Sequence, residues 1–229
     1  NGSTLYATAD DTGQHPLFAI NLGNGLIKKL TDTGSVSGFD LSPDGIVYTY
    51  NTLDKPDDLY RIGWTGGTTQ LTRHNATRLA NIEMAPYEQF SFEGWNNETV
   101  YGYAMKPAGY QPGKKYPVAF IIHGGPQGSM GNLFHYRWNP EVFAGMGFGV
   151  VFIDFHGSTG YGQAFTDSIS GDWGGKPLED LKKGYAHALK SYDWLDADRA
   201  CALGASYGGY MVNWIAGNWN EPWKCLVNH

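Results

Sequence analysis

No basic cluster in the 229-residue sequence is denser than the pairs Lys28-Lys29 and Lys182-Lys183. With 16 Lys and Arg against 22 Asp and Glu, the formal net charge is −6. No positive stripe is available to neutralise phosphates, so no nucleic acid is expected as a partner. Long apolar runs are missing too. The longest, Val118 to Ile122 and Phe148 to Ile153, fall far short of the roughly 20 residues a helix needs to cross a bilayer, so no membrane span is expected. The opening Asn1-Gly2-Ser3-Thr4 lacks the charged start and apolar middle of a signal peptide, which points to mature or internal sequence. The histidines at 15, 74, 135 and 187 show no His-x-x-x-His spacing, so neither a metal nor a cofactor is implied. Cysteine is scarce. Cys201 and Cys225 are the only two, and spacing leaves a disulfide and two buried thiols equally open.

What is abundant is apolar residues, at 41%, glycine, at 32 residues, and aromatics, at 15%. That composition buries enough surface to fold and supplies many tight turns. Residues 1–78 read as short strands between Gly, Asp, Asn and Pro turns, and they repeat. Leu17-Phe18-Ala19-Ile20 returns as Leu59-Tyr60-Arg61-Ile62, and Leu30-Thr31 as Leu71-Thr72. Thr4-Leu5-Tyr6-Ala7-Thr8 maps likewise onto Ile46-Val47-Tyr48-Thr49. A period of about 40–45 residues filled with short strands marks β-propeller blades. Two blades cannot close a ring, so this segment reads as part of a propeller, with a small sandwich as the alternative.

After a join at 79–87 the pattern changes to strands alternating with helices. Residues 79–229 therefore read as an α/β domain with a mostly parallel sheet. A hairpin is expected from Gln89 to Met105, buried strands at Val118–Ile122 and Phe148–Asp154, and a short helix at Trp138–Met146. Leu178, Leu181, Tyr185 and Leu189 define one face of a helix running to about Trp194. A strand over Arg199–Ala205, a helix over Tyr207–Ala216 and a strand over Trp223–Val227 follow.

The chemistry concentrates at Gly204-Ala205-Ser206-Tyr207-Gly208. Its setting between a strand and a helix is that of a nucleophile elbow, in which a strained serine projects from a tight turn. Gly204 and Gly208 let strand and helix approach, and the helix aims unpaired N–H groups at charge developing beside Ser206. The second element is His123-Gly124-Gly125-Pro126, at the end of a buried strand. Acyl transfer needs two donors for its oxyanion, and the N–H groups of Tyr207 and Gly125 are the candidates. His123 precedes Ser206, against the order serine, acid, histidine of such hydrolases, and reads as a loop-setting residue. Asp154 and Asp172 read as turn formers, and Tyr210 and Met211 as core.

Gly204 to Met211, the His-Gly-Gly-Pro loop and Gly157-Ser158-Thr159-Gly160-Tyr161-Gly162 together resemble the prolyl oligopeptidase family of serine peptidases. Within that family, His123 to Gly128, Arg137 to Ala144 and Trp173-Gly174-Gly175 are most similar to type 5 dipeptidyl peptidases and acylaminoacyl peptidases. One departure is His156, where many relatives carry Arg. The resemblance implies an α/β-hydrolase catalytic domain, incomplete here, preceded by part of a β-propeller. It implies a Ser206 acyl-enzyme, a short peptide as substrate and a secreted or periplasmic setting. A homodimer is the one protein assembly left open. Dipeptide release needs acidic side chains to anchor the free amine; Glu88 and Glu93 can be proposed, and both read equally well as solvated charges near the hairpin.

After Ser206 the only carboxylate side chain is that of Glu221 and the only histidine is His229. The expectation is therefore a fragment, with the triad acid and histidine lying beyond His229. A carboxylesterase and a non-catalytic propeller-based binding protein remain as other readings.

Overall fold

The computed structural model describes residues 2–229. The chain divides into two compact units. The first runs to Glu83 and also takes in Asn132–Asn139. It holds two antiparallel sheets. One joins β1 (Thr4–Thr8), β2 (Leu17–Asn21) and β3 (Ile27–Lys29); the other joins β4 (Ser35–Ser42), β5 (Gly45–Thr52), β6 (Lys55–Gly63) and β7 (Thr68–Gln70). The repeat read in the sequence falls on equivalent strands, β1 on β5 and β2 on β6. Leu17, Val36, Ile46 and Tyr48 form the buried cluster between them. A single helical turn, α1 (Ala76–Leu79), follows.

Asn132 explains why a loop so distant in sequence belongs here. Its N–H donates to the Gly13 carbonyl at 2.7 Å and its Nδ2 to Gln14 Oε1 at 3.1 Å. Its Oδ1 accepts the Leu53 N–H and its carbonyl the Ser35 hydroxyl, both at 3.0 Å. The helix expected from Trp138 accordingly starts later, as α2 (Glu141–Gly145) behind Pro140, whose ring disfavours helical backbone at the preceding Asn139.

The second unit is built on a six-stranded mixed sheet. β8 (Tyr87–Glu93) and β9 (Thr99–Met105) form the expected hairpin, followed by β10 (Tyr116–Ile122), α2 and β11 (Gly149–Asp154). Then come α3 (Gln163–Asp167), α4 (Lys176–Ser191), β12 (Leu195–Gly204), α5 (Tyr207–Asn218) and β13 (Trp223–Asn228). The strand order is β13-β12-β10-β11-β9-β8, parallel from β13 to β11 and antiparallel beyond. β10 and β11 are buried on both faces, which is why they read as unbroken apolar runs. α4 packs Leu178, Leu181, Tyr185 and Ala188 into this core. It stops at Ser191, short of the expected Trp194, because Tyr192 is extended and carries the chain into β12. The sequence pattern does not predict α3, which at five residues is too short to show a period. Cys201 and Cys225 are register partners on β12 and β13 and form a disulfide, with Cα atoms 4.7 Å apart.

Candidate active site

Ser206 lies between the end of β12 and the first residue of α5, with φ 57° and ψ −120°. A non-glycine residue holds that conformation only where its surroundings impose it. The surroundings are glycines and backbone. A β-carbon on Gly204 would stand 2.5 Å from the Gly208 backbone, and one on Gly208 would stand 2.1 Å from the Ile122 carbonyl. Strand, turn and helix therefore touch main chain to main chain. The end of β13 grips the turn from the other side: the Ser206 N–H donates to the His229 carbonyl at 2.9 Å, and the His229 N–H to the Gly204 carbonyl at 3.0 Å.

Ser206 is exposed, whereas Tyr207 is buried against Phe155 and Trp173. The Tyr207 hydroxyl donates to the Trp173 carbonyl at 2.7 Å, and burial pushes its ionisation well above the usual phenol range. In the first turn of α5, the Gly208 and Tyr210 N–H groups are taken by the Ala205 and Ser206 carbonyls. The N–H of Tyr207 has no such backbone partner among the described residues, and it is the donor that the sequence reading singles out.

β10 delivers the second element. A β-carbon on Gly124 would lie 3.2 Å from Ser206 Cβ, so the His-Gly-Gly-Pro loop runs directly beside the serine. Gly125 follows with φ +125°, exposed, in a conformation open to glycine. The topology thus brings Ser206, Tyr207 and the Gly124-Gly125 turn to the carboxyl ends of neighbouring parallel strands, where sites in such sheets form.

His123 does not face Ser206. Its ring lies flat on Phe155 at 4.3 Å; Nδ1 donates to the Gly124 carbonyl at 2.7 Å, which leaves Nε2 to accept the Ser158 hydroxyl at 2.9 Å. It sets the loop, as the chain order implied. Glu88 and Glu93 are exposed on β8, the sheet edge four strands away from β12, and the structure does not bring them to Ser206. Asp172 does form a turn, accepting the amides of Gly175 and Lys176, and the Lys176 ammonium holds its carboxyl below the usual range. Met211 is core, but Tyr210 is partly exposed.

Asp154 departs from its expected role as a turn former. It ends β11, is 3% exposed and accepts three hydrogen bonds, from Ser129, Met130 and Tyr161. The signal was a carboxylate closing a wholly apolar strand. His156 is likewise buried, its Nδ1 2.6 Å from Asp180 and its Nε2 3.2 Å from Glu98. Burial opposes its charge, but the two carboxylates outweigh burial and raise its pKa.

Residues 134–229 match the family model described as Prolyl oligopeptidase family. These residues belong to the prolyl oligopeptidase family. Similarity extends over almost the whole chain: the dipeptidyl-peptidase 5 of Schizosaccharomyces pombe is 38% identical over 229 residues, covering 98% of this chain and 33% of that protein. The probable dipeptidyl-peptidase 5 of Emericella nidulans is 39% identical over 238 residues, covering 99% and 33%. Among solved structures, the acylaminoacyl peptidase of Pyrococcus horikoshii superposes with TM-score 0.83 at 27% identity, over 94% of this chain and 34% of its own. An acylaminoacyl peptidase in complex with Z-Gly-Gly-Phe-chloromethyl ketone gives the same values. The fold of the second unit is that of the α/β-hydrolase domain of this family, and its sheet is mixed. The chain spans about a third of the length of the curated relatives it matches.

Proposed function

We propose that this chain carries the nucleophile and oxyanion site of a serine peptidase that removes dipeptides from the N-terminus of short peptides. The observation that carries the reading is the strained, exposed Ser206 beside two glycine-shaped approaches and a Tyr207 N–H that has no backbone partner among the described residues. Ser206 Oγ attacks the scissile carbonyl while its proton passes to an imidazole base. The N–H groups of Tyr207 and Gly125 hold the oxyanion that forms. Collapse of this intermediate returns the proton to the leaving amine and leaves an acyl-enzyme, which water hydrolyses by the same route. Both ring nitrogens of His123 are engaged elsewhere, so His123 is not that base. Given the length of the relatives, we place the triad acid and histidine in sequence outside these 229 residues. We read the antiparallel meanders of the first unit as propeller blades, and the setting as secreted or periplasmic.

The dipeptidyl reading rests on the curated relatives; the structural neighbours favour a second one, removal of an acylated residue. The test uses the full-length gene product and a fluorophosphonate probe. Labelling of wild type, absent in Ser206→Ala, supports the serine mechanism, and a wild type that neither labels nor cleaves refutes it. Faster cleavage of a free dipeptide naphthylamide than of its N-acetylated or single-residue acyl counterparts supports dipeptide release; the reverse order selects the acylaminoacyl reading. Activity confined to nitrophenyl esters would select an esterase.

A further inference from the structure

The loop that carries Gly125 has no regular structure between Ile122 and Gly131, yet an oxyanion donor works only if it is already in place when charge develops. Its anchor is therefore part of the chemistry. Four contacts tie this loop to the end of β11 and the segment that follows it. His123 Nε2 accepts the Ser158 hydroxyl, and the Gly128 carbonyl accepts the Thr159 N–H at 3.0 Å. The other two converge on one carboxylate. Asp154 Oδ2 accepts the Ser129 hydroxyl at 2.5 Å, and Oδ1 accepts the Met130 N–H at 3.1 Å.

A buried carboxylate is tolerated only when hydrogen bonds replace its water. Tyr161 completes the set, its hydroxyl donating to Asp154 Oδ2 at 2.8 Å. The Tyr161 ring stacks on Tyr101 and packs against Phe165, so its hydroxyl is aimed by rigid neighbours. Burial, followed by the adjacent Asp154 charge, strongly opposes ionisation of this phenol and keeps it a donor. His123 Nε2 stands 3.8 Å from Asp154 Oδ1, beyond hydrogen-bond reach.

We infer that Asp154, backed by Tyr161, is a positioning residue that holds the His-Gly-Gly-Pro loop so that the Gly125 N–H meets the oxyanion formed at Ser206. The inference rests on the serine peptidase reading and adds to it a residue that touches no substrate. It predicts a particular pattern of damage. Loosening the loop leaves the ground-state complex intact and weakens only the transition state, and a misplacement of about 1 Å lowers the rate about 100-fold. Asparagine should largely rescue. Its Oδ1 can still accept the Met130 N–H, while its amide donates to the Ser129 and Tyr161 hydroxyls, which can turn to accept.

The experiment compares Asp154→Ala, Asp154→Asn, Ser129→Ala and Tyr161→Phe in the full-length gene product. Readouts are kcat and KM on a dipeptide naphthylamide, and inhibition by the matching dipeptide aldehyde, whose hemiacetal adduct needs the oxyanion donors. Asp154→Ala is expected to lower kcat about 100-fold with KM within about threefold, and to weaken aldehyde binding in parallel with kcat/KM. Asp154→Asn is expected to stay within about tenfold of wild type. Ser129→Ala and Tyr161→Phe each remove one of three donors and are expected to lower kcat about 3- to 10-fold. A folded Asp154→Ala with unchanged kcat, or with its loss entirely in KM, overturns the inference. If Asp154→Ala does not fold, Ser129→Ala and Tyr161→Phe decide, and unchanged kcat in both is equally fatal. Wild-type labelling by fluorophosphonate is measured first. Its absence would sink the peptidase reading and this inference with it, a failure distinct from variants that label and turn over normally.

Discussion

Replacing Gly208 by alanine tests the main-chain contact on which the elbow depends. The new methyl group would stand 2.1 Å from the Ile122 carbonyl oxygen and 3.1 Å from that of His123. The first distance is short of ordinary van der Waals contact by roughly 1.3 Å. The obstacle is backbone of a central strand, with β11 on one side and β12 on the other, so it cannot rotate away as a side chain would. α5 must move instead, at a cost of about 1–3 kcal/mol by analogy with overpacked cores. At roughly 2–4 °C per kcal/mol for a chain of this size, the melting temperature should fall by about 2–12 °C. The same shift displaces Ser206 and Tyr207 from Gly124, so fluorophosphonate labelling should slow about 100-fold. Gly217→Ala is the internal control, since it lies in the same helix with nothing within 4 Å of the added carbon. That change should stabilise by about 0.5–1 kcal/mol through helix propensity and leave labelling unaltered. Thermal unfolding followed by circular dichroism, with timed labelling of the same samples, reads both. A Gly208→Ala protein that melts and labels like wild type would refute the claim of direct contact between α5 and β10.

Other perturbations read different parts of the structure. Because Ser206 holds φ at 57°, Ser206→Gly should be more stable than Ser206→Ala by about 1–3 kcal/mol in denaturant unfolding, and equal midpoints would argue against strain at the elbow. His156 has a raised pKa, so its contribution to stability is complete below about pH 6.5 and is lost as pH rises through the folded value. Glu98, its exposed partner, has a lowered pKa and loses its contribution as pH falls through that value. The melting-temperature gap between wild type and His156→Gln should therefore be widest in mildly acidic buffer and shrink toward alkaline pH, and a gap that grows with pH would reverse the assignment. The Cys201–Cys225 disulfide spans a sequence separation of 24, so its loss in Cys225→Ser should destabilise by about 3.5 kcal/mol in denaturant unfolding on the loop-entropy estimate.

The sequence by itself determined the elements that follow local rules. Apolar runs without alternation announced β10 and β11, and the face of Leu178, Leu181 and Tyr185 announced α4. Glycines flanking Ser206 between a strand and a helix announced the elbow, because that turn admits few other residues. The internal repeat found β1 with β5 and β2 with β6, since like strands answer to like patterns. Tertiary structure alone decided what depends on partners distant in the chain. It assigned residues 132–139 to the first unit through the hydrogen bonds of Asn132, and so shortened the helix expected from Trp138. It placed Glu88 and Glu93 on β8, with three strands between it and the β12 strand that leads to Ser206, a distance set by strand order, which local pattern does not encode. It paired Cys201 with Cys225 by register. It also turned Asp154 from a turn residue into the anchor of the Gly125 loop, because a carboxylate's role depends on which donors the fold gathers around it.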